Sequence, residues 1–397
     1  MAEVDRLLSA QLGGTDTELV ALAQCVGRCL AVPAVADRDG PPFHRVAMDG
    51  YAVRAQSGQR AQSGQRAWRV AGLQVAGKPP QTLTDPQTAL EVATGAVLPL
   101  GCDTVVPYEA TLRSGDQVDL LADAPPVAKG NHVHPQGTDY RSEQVLVPAG
   151  TVLRSPHLHS LASVGLDPVP VRRRAVWSLA STGDELVAVH RTPLAWQIRQ
   201  SNLAALEGEA RAWGLAPREA QTLPDNRPLL LEGLKSQLGV VDALVLTGGV
   251  SAGVLDLVPG VLEELGVQTL FHRVAQRPGK PFWCGRLPAN ALGRATLVFG
   301  LPGNPVSSLF AFRRYVLPWL LAFEGRPAGP RRVEVHGLRA RDDDQTVFLP
   351  WSEETGVMEW KGSGDYLALA GSTGFVEIDR DPRSGVEPWM YCWGGRE

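Results

Sequence analysis

The amino-acid sequence predicts an α/β multidomain protein: a central three-layer α/β domain with a mostly parallel sheet, an inserted β-rich domain, a helical connecting domain and a small C-terminal β-barrel-like domain. Three observations predict it. Between residues 173 and 326 short apolar runs alternate with helical stretches. Residues 41–139 instead carry many short valine-containing runs between turns rich in Gly, Pro and Asp. At 397 residues the chain also exceeds what one compact core holds.

An N-terminal helix and a helix over 156–164, the second capped by Ser155 and stopped by Gly165, flank the β-rich stretch in sequence. They are expected to pair as one connecting domain, 1–40 with 140–172, from which the β-rich domain 41–139 is inserted. The tandem AQSGQR at 55–60 and 61–66 is a short polar duplication of the kind a loop tolerates. Joints containing proline and arginine, at 167–174 and 326–332, set off the α/β domain 173–326. It opens with a strand over 175–180 and a helix over 202–213, capped by Ser201 and closed by Gly214. A strand over 240–246 runs into Gly248 and Gly249 and then a helix over 257–265 ending at Gly266. A strand over 296–299 leads to GLPGNP, where Asn304 and Pro305 supply a cap and a first-turn proline for an apolar helix. Runs at 332–335, 346–351 and 374–378 predict a C-terminal β domain, 327–397, of about six strands.

Composition narrows the function. Thirty-eight basic against 42 acidic residues give a net charge of −4, so no global positive field draws nucleic acid. Glu3 and Asp5 stand where an export signal needs basic residues, and the apolar run 315–323, broken by Pro318, is far shorter than the roughly 20 residues of a membrane helix. Five cysteines without regular spacing fit a reducing compartment. Cys25 and Cys29, four apart on an expected helix, have no second pair or histidine nearby and read as buried thiols. A cytoplasmic protein with small-molecule or protein partners, no nucleic acid and no membrane span is expected.

In an open parallel sheet ligands bind at the carboxyl ends of the strands. Three loops leaving those ends are unusual: STGDEL from Ser181, TGGVSAG from Thr247 and FGLPGNP from Phe299. Each puts glycine where backbone N–H groups can approach an anion at a helix start. The same loops carry Asp184, Glu185 and Asp256, and Asp225 follows the 221–223 segment. Carboxylates beside phosphate require a cation, and magnesium is held by one or two carboxylates together with phosphate oxygens. Helix-start capping by Asp184 and Asp256 is the competing explanation. RPGKP at 277–281 sets Arg277 and Lys280 around a rigid turn suited to an oxyanion, or simply a charged surface turn. The pairs His132/His134 and His157/His159 read as structural or solvated, and Asp49 in AMDGYA and Thr94 in ATGA sit at tight turns. No dinucleotide fingerprint or P-loop is present.

Together PFHRVAMDGYAV at 42–53, ATGA at 93–96, GTD at 137–139, STGDEL, TGGVSAG, PGKP and LPGNPVSS at 301–308 resemble, in order and nearly end to end, the molybdopterin molybdotransferase family, the bacterial MoeA proteins and the E domain of gephyrin. The resemblance implies insertion of molybdate into adenylylated molybdopterin, with magnesium-dependent release of AMP. It also implies an elongated homodimer, and as further partners the molybdopterin adenylyltransferase and molybdoenzyme chaperones. By position, Glu185, Asp225 and Asp256 become the metal-side carboxylates. Asp49, Thr94 and Asp139 reach across from the partner subunit, and Lys280 and Ser307 line the molybdate pocket. Gly183, Asp184, Gly248, Gly249, Ser251, Arg277, Pro278, Gly279, Pro281, Pro302, Gly303, Asn304 and Pro305 complete the nucleotide and pterin surface. The chain departs from the family pattern at His134-Pro135-Gln136, where an arginine cluster is usual, and at Gln200, Val254, Arg277 and Pro350. The last stands where an arginine to molybdate is often found. A divergent paralogue that binds pterin or nucleotide as a scaffold is the alternative these departures raise.

Overall fold

The computed structural model describes residues 1–13, 16–55, 67–250, 257–291, 293–327, 329–333, 345–378 and 388–394. The chain divides into two compact units, Met1–Glu18 with Arg172–Glu397, and Leu19–Val171.

The first unit is built on a six-stranded sheet in the order Ala220–Leu223, Trp177–Thr182, Ala243–Thr247, Thr296–Leu301, Trp283–Leu287, Gln268–His272. The first four strands run parallel and the last two antiparallel. The antiparallel pair is a hairpin that the reading from sequence did not contain, and RPGKP lies in its connection. Every residue of the three strands beginning at Trp177, Ala243 and Thr296 is buried, as a sheet covered on both faces requires. Side chains alternate between those faces with a period of two. Ala243 and Val245 join Leu206, Ala210 and Phe312 on one side, while Leu244 and Leu246 join Leu230, Leu234, Val258 and Leu262 on the other. Each of the larger side chains, the leucines, valines and Phe312, contributes about 1.5–3 kcal/mol by leaving water.

Helix Asn202–Ala212 ends as expected, with Gly214 at φ 75° and the Leu215 N–H donating to the Ala210 carbonyl. Its start is a correction: Ser201 makes no side-chain cap, and Gln200 Oε1 accepts the Leu203 N–H at 3.0 Å. The departure at Gln200 therefore keeps an acceptor for the helix start.

A second sheet of this unit runs Gln276–Arg277, Thr346–Ser352, Gly374–Ile378, Trp389–Cys392, Arg331–Arg332, with Gly356–Val357 added to Thr346–Ser352. Its first strand comes from the RPGKP segment, so the turn is shared by hairpin and C-terminal sheet. Phe310, Phe348, Phe375 and Tyr391 form the core beneath it. The N-terminal helix Ala2–Ser9 is another correction. It belongs to the first unit, not to the one that holds the later helix, and buries Val4 and Leu8 in the cluster around Trp177 and Phe312. Asp5 accepts from the half-buried Arg314 at 2.7 and 3.0 Å, and Arg314 in turn reaches Glu377 at 2.6 Å. The acidic N-terminus thus adds a second carboxylate, beside Glu377, to a largely enclosed arginine.

The second unit holds a sheet in the order Thr104–Pro107, Gly50–Val53, Thr88–Val92, Ala67–Gln74, Gln117–Leu120, Thr111–Ser114. All pairings are antiparallel except Thr88–Val92 with Ala67–Gln74. Helix Ser155–Ser163 packs Leu161 against Cys25, Leu30 and Leu153. Ser155 is its first helical residue rather than its cap, and the Arg154 N–H donates to His157 Nδ1 at 3.0 Å. Cys25 follows a single 3₁₀ turn, Leu22–Gln24, so it shares no helix with Cys29, although both thiols are buried as expected. The AQSGQR duplication lies outside the described residues apart from Ala55.

Candidate functional site

A cavity of about 520 Å³ opens at the carboxyl ends of the parallel strands, walled by all three glycine-bearing loops. Gly248 and Gly249, at φ 90° and 62°, leave strand Ala243–Thr247 pressed against Thr182. A Cβ on Gly248 would stand 2.6 Å from the Thr182 carbonyl oxygen, and one on Gly249 would stand 2.7 Å from Thr182 Oγ1, so side chains are excluded by contact as well as by backbone conformation. Gly183 clears space for the Glu185 carboxylate, whose Oε2 would lie 2.7 Å from a Cβ there.

Glu185 and Asp225 both line this cavity. Asp184 does not. Its Oδ1 accepts the Asp225 N–H at 3.0 Å, so it positions the loop that carries Asp225 and caps no helix. Asn202 fastens the other loops, donating to the Gly303 carbonyl at 2.8 Å and to Thr247 Oγ1 at 3.1 Å. Within this cross-braced wall Thr182 Oγ1 is buried without a hydrogen-bond partner among the described residues. Such an atom costs stability unless a ligand completes it.

A second cavity, of about 930 Å³, adjoins the first through Pro281, Pro302 and Asn304. Arg277, Pro278, Gly279 and Lys280 line it, as does Ser307, the buried third residue of helix Pro305–Ala311. The turn is held from behind by buried Gln276, which donates to the Gly279 carbonyl at 3.1 Å and accepts from the Tyr315 hydroxyl. Gly279 at φ 93° faces the Gln276 amide so closely that a Cβ would lie 2.7 Å away. The segment 360–365 also lines this cavity. Asn304 Nδ2 donates to Ser363 Oγ at 2.9 Å, and the Val306 N–H to the Ser363 carbonyl at 3.2 Å. Asn304 therefore holds that segment instead of capping its helix by its side chain. Pro350 is buried in strand Thr346–Ser352 opposite Phe375 and is absent from the cavity lining.

In the second unit, Asp49 Oδ1 accepts both the backbone N–H of Thr94 at 2.6 Å and its hydroxyl at 2.9 Å. The two bonds hold the exposed Asp49 carboxyl below its usual range, the backbone bond having the larger effect. Asp139 meets His134 Nε2 at 2.9 Å, which pairs it with a residue from the segment where arginines are usual in the resembling family. Both features hang on strand Arg45–Val46, which pairs with Val133–His134 on one side and bonds to the 95–96 turn on the other.

Of the residues singled out from sequence, Glu185, Asp225, Gly183, Gly248, Gly249, Gly303 and Pro305 share the first cavity, and Arg277, Pro278, Gly279, Lys280 and Ser307 the second. Ser251, Val254 and Asp256 lie outside the described residues. Sequence reasoning missed Thr182, Asn202, Lys361 and Ser363. The first two adjoin motifs that were read, whereas the last two are about 80 residues beyond PGKP and carry no signal until the fold brings them to it. Among the described residues no group of three metal-ligating side chains is assembled. Two cavity-lining carboxylates nevertheless suit magnesium, which takes few protein ligands when phosphate oxygens supply the rest.

A family model described as the MoeA N-terminal region (domain I and II) matches residues 1–165, and one described as a probable molybdopterin binding domain matches residues 178–322. The chain is 33% identical over 369 residues to the molybdopterin molybdenumtransferase of Synechocystis sp., covering 90% of each. To that of Haemophilus influenzae it is 31% identical over 380 residues, covering 92% of this chain and 91% of the other. Two crystal structures of molybdopterin biosynthesis MoeA protein from Pyrococcus horikoshii superpose with TM-scores of 0.78 and 0.75 at 27% identity, over 99% and 98% of both chains.

Proposed function

The chain belongs to the molybdopterin molybdenumtransferase family, a family of transferases of molybdenum cofactor biosynthesis, and we propose that it inserts molybdate into adenylylated molybdopterin with magnesium-dependent release of AMP. The observation that carries this reading is the pair of adjoining cavities at one sheet edge, one walled by carboxylates and glycine loops, the other by cations and a buried serine.

In this reading the backbone N–H groups of the glycine loops bind phosphate oxygens at the carboxyl ends of the strands. Glu185 and Asp225 hold magnesium, joined by Asp256, while Asp184 keeps Asp225 in place. The ion would neutralise charge on the pyrophosphate as its bond to AMP breaks. Thr182 Oγ1 gains its missing partner from the substrate. Lys280, Arg277 and Ser307 hold molybdate in the adjoining cavity, within reach of a dithiolene bound across the boundary at Pro302 and Asn304. Asp49, Thr94 and Asp139 serve the site of a second copy in a homodimer, and their preformed hydrogen bonds support that role. The reading further takes the protein as cytoplasmic, consistent with five free cysteines, and as a partner of the adenylyltransferase and of molybdoenzyme chaperones.

Purified protein given adenylylated molybdopterin and magnesium should release AMP and form cofactor only when molybdate is added. Binding of the nucleotide by a well-folded sample with no molybdate-dependent release would overturn this in favour of a scaffold that does not catalyse insertion.

A further inference from the structure

Lys361 lines the 930 Å³ cavity with Arg277 and Lys280, yet no motif led to it. All three side chains are exposed to the cavity, and no ion pair engages any of them among the described residues. Asp365, the acidic residue of the same lining, is occupied otherwise. Its Oδ2 accepts the Lys361 backbone N–H at 2.9 Å, and its Oδ1 accepts the Ala368 N–H at 3.4 Å at the start of helix Tyr366–Ala370. These bonds shape the 361–365 turn and commit the carboxylate to backbone donors. The turn is then tied through Ser363 to Asn304 and Val306, at the head of the helix that carries Ser307. Lys361 is thus held, by its backbone, in the same cavity lining as the PGKP turn.

Counting Arg277, Lys280 and Lys361 against Asp365 leaves two positive charges on the lining, the complement of a tetrahedral dianion. Strand Thr346–Ser352, the other element of the C-terminal sheet near this wall, offers no cation from Pro350, which is buried against Phe375. We propose, resting on the functional reading above, that Lys361 is an oxyanion-binding residue of this chain, the third cation of the molybdate cavity. An ammonium on a four-carbon stem can follow an oxyanion as it moves toward its acceptor, which a rigid guanidinium fork does less readily.

Molybdate binding to the full-length protein by equilibrium dialysis, with magnesium present, tests the assignment. Lys361→Ala and Lys361→Gln should weaken molybdate binding about tenfold or more, with Lys361→Arg within roughly threefold of the parent. The KM for molybdate should rise in parallel while that for adenylylated molybdopterin stays within about twofold, because the lost contact is to one substrate only. The exposed side chain supports no packing, and any residue keeps the backbone bond to Asp365, so these variants fold. If the parent releases AMP and Lys361→Ala binds molybdate equally well, the assignment fails and the functional reading stands. A parent that binds no molybdate and releases no AMP overturns both.

Discussion

The two cavities share one sheet edge and three residues, Pro281, Pro302 and Asn304, yet they are built from different materials. The smaller is made of backbone. Glycines at positive φ, a carboxylate folded over Gly183 and an asparagine bridging two loops leave N–H groups and two acids facing the opening. The larger is made of long side chains, with Arg277, Lys280 and Lys361 reaching in from a turn and a loop that a buried glutamine and a serine hold from behind. In the proposed function, opposite charge in adjoining spaces would let one molecule present phosphates to a metal on one side and accept an oxyanion on the other, without either anion repelling the protein. The difference also separates two kinds of damage. Backbone walls break when a loop shifts, and side-chain walls weaken charge by charge.

The largest effect that would sharpen this contrast is expected from Gln276→Ala. It removes the buried amide behind the PGKP turn, strands the Gly279 carbonyl and leaves the Tyr315 hydroxyl to the weakly accepting Met1 sulfur at 3.6 Å. Stability in urea should fall by about 2–3 kcal/mol. Molybdate affinity should fall with it, while AMP binding in the neighbouring cavity is retained. Equal loss of both ligands would mean that the two cavities are one mechanical unit.

The smallest effect belongs to Thr182→Val. Removing a hydroxyl that has no partner should leave stability within about 1 kcal/mol of the parent, or raise it. Affinity for the adenylylated substrate, measured by calorimetry, should nevertheless drop several-fold, about the value of one hydrogen bond. Unchanged affinity would show that this hydroxyl meets no ligand.

Much of the first cavity was legible in the sequence because its parts are local. STGDEL, TGGVSAG and GLPGNP each start on the last residues of a strand that apolar runs disclose, and the parallel order brings the loops together. The second cavity was half legible. RPGKP announced its cations, but Lys361 and Ser363 come from a distant segment, and only the pairing of Gln276–Arg277 with Thr346–Ser352 explains their arrival. Helix starts were misread for one recurring reason. Ser201, Ser155 and Asn304 had the right chemistry, but Gln200 and His157 stood closer to the unpaired groups, and Asn304 was drawn to Ser363. The N-terminal helix was misplaced because nothing in its own sequence shows that Asp5 answers Arg314, more than 300 residues away.

The division of labour between the cavities is tested most directly by titrating turnover with magnesium and with molybdate in Glu185→Gln and in Lys280→Ala. The predicted result is a crossed pattern, in which Glu185→Gln raises the magnesium requirement about tenfold with little change for molybdate, and Lys280→Ala does the reverse. Two variants that shift both dependences alike, or neither, would contradict the account.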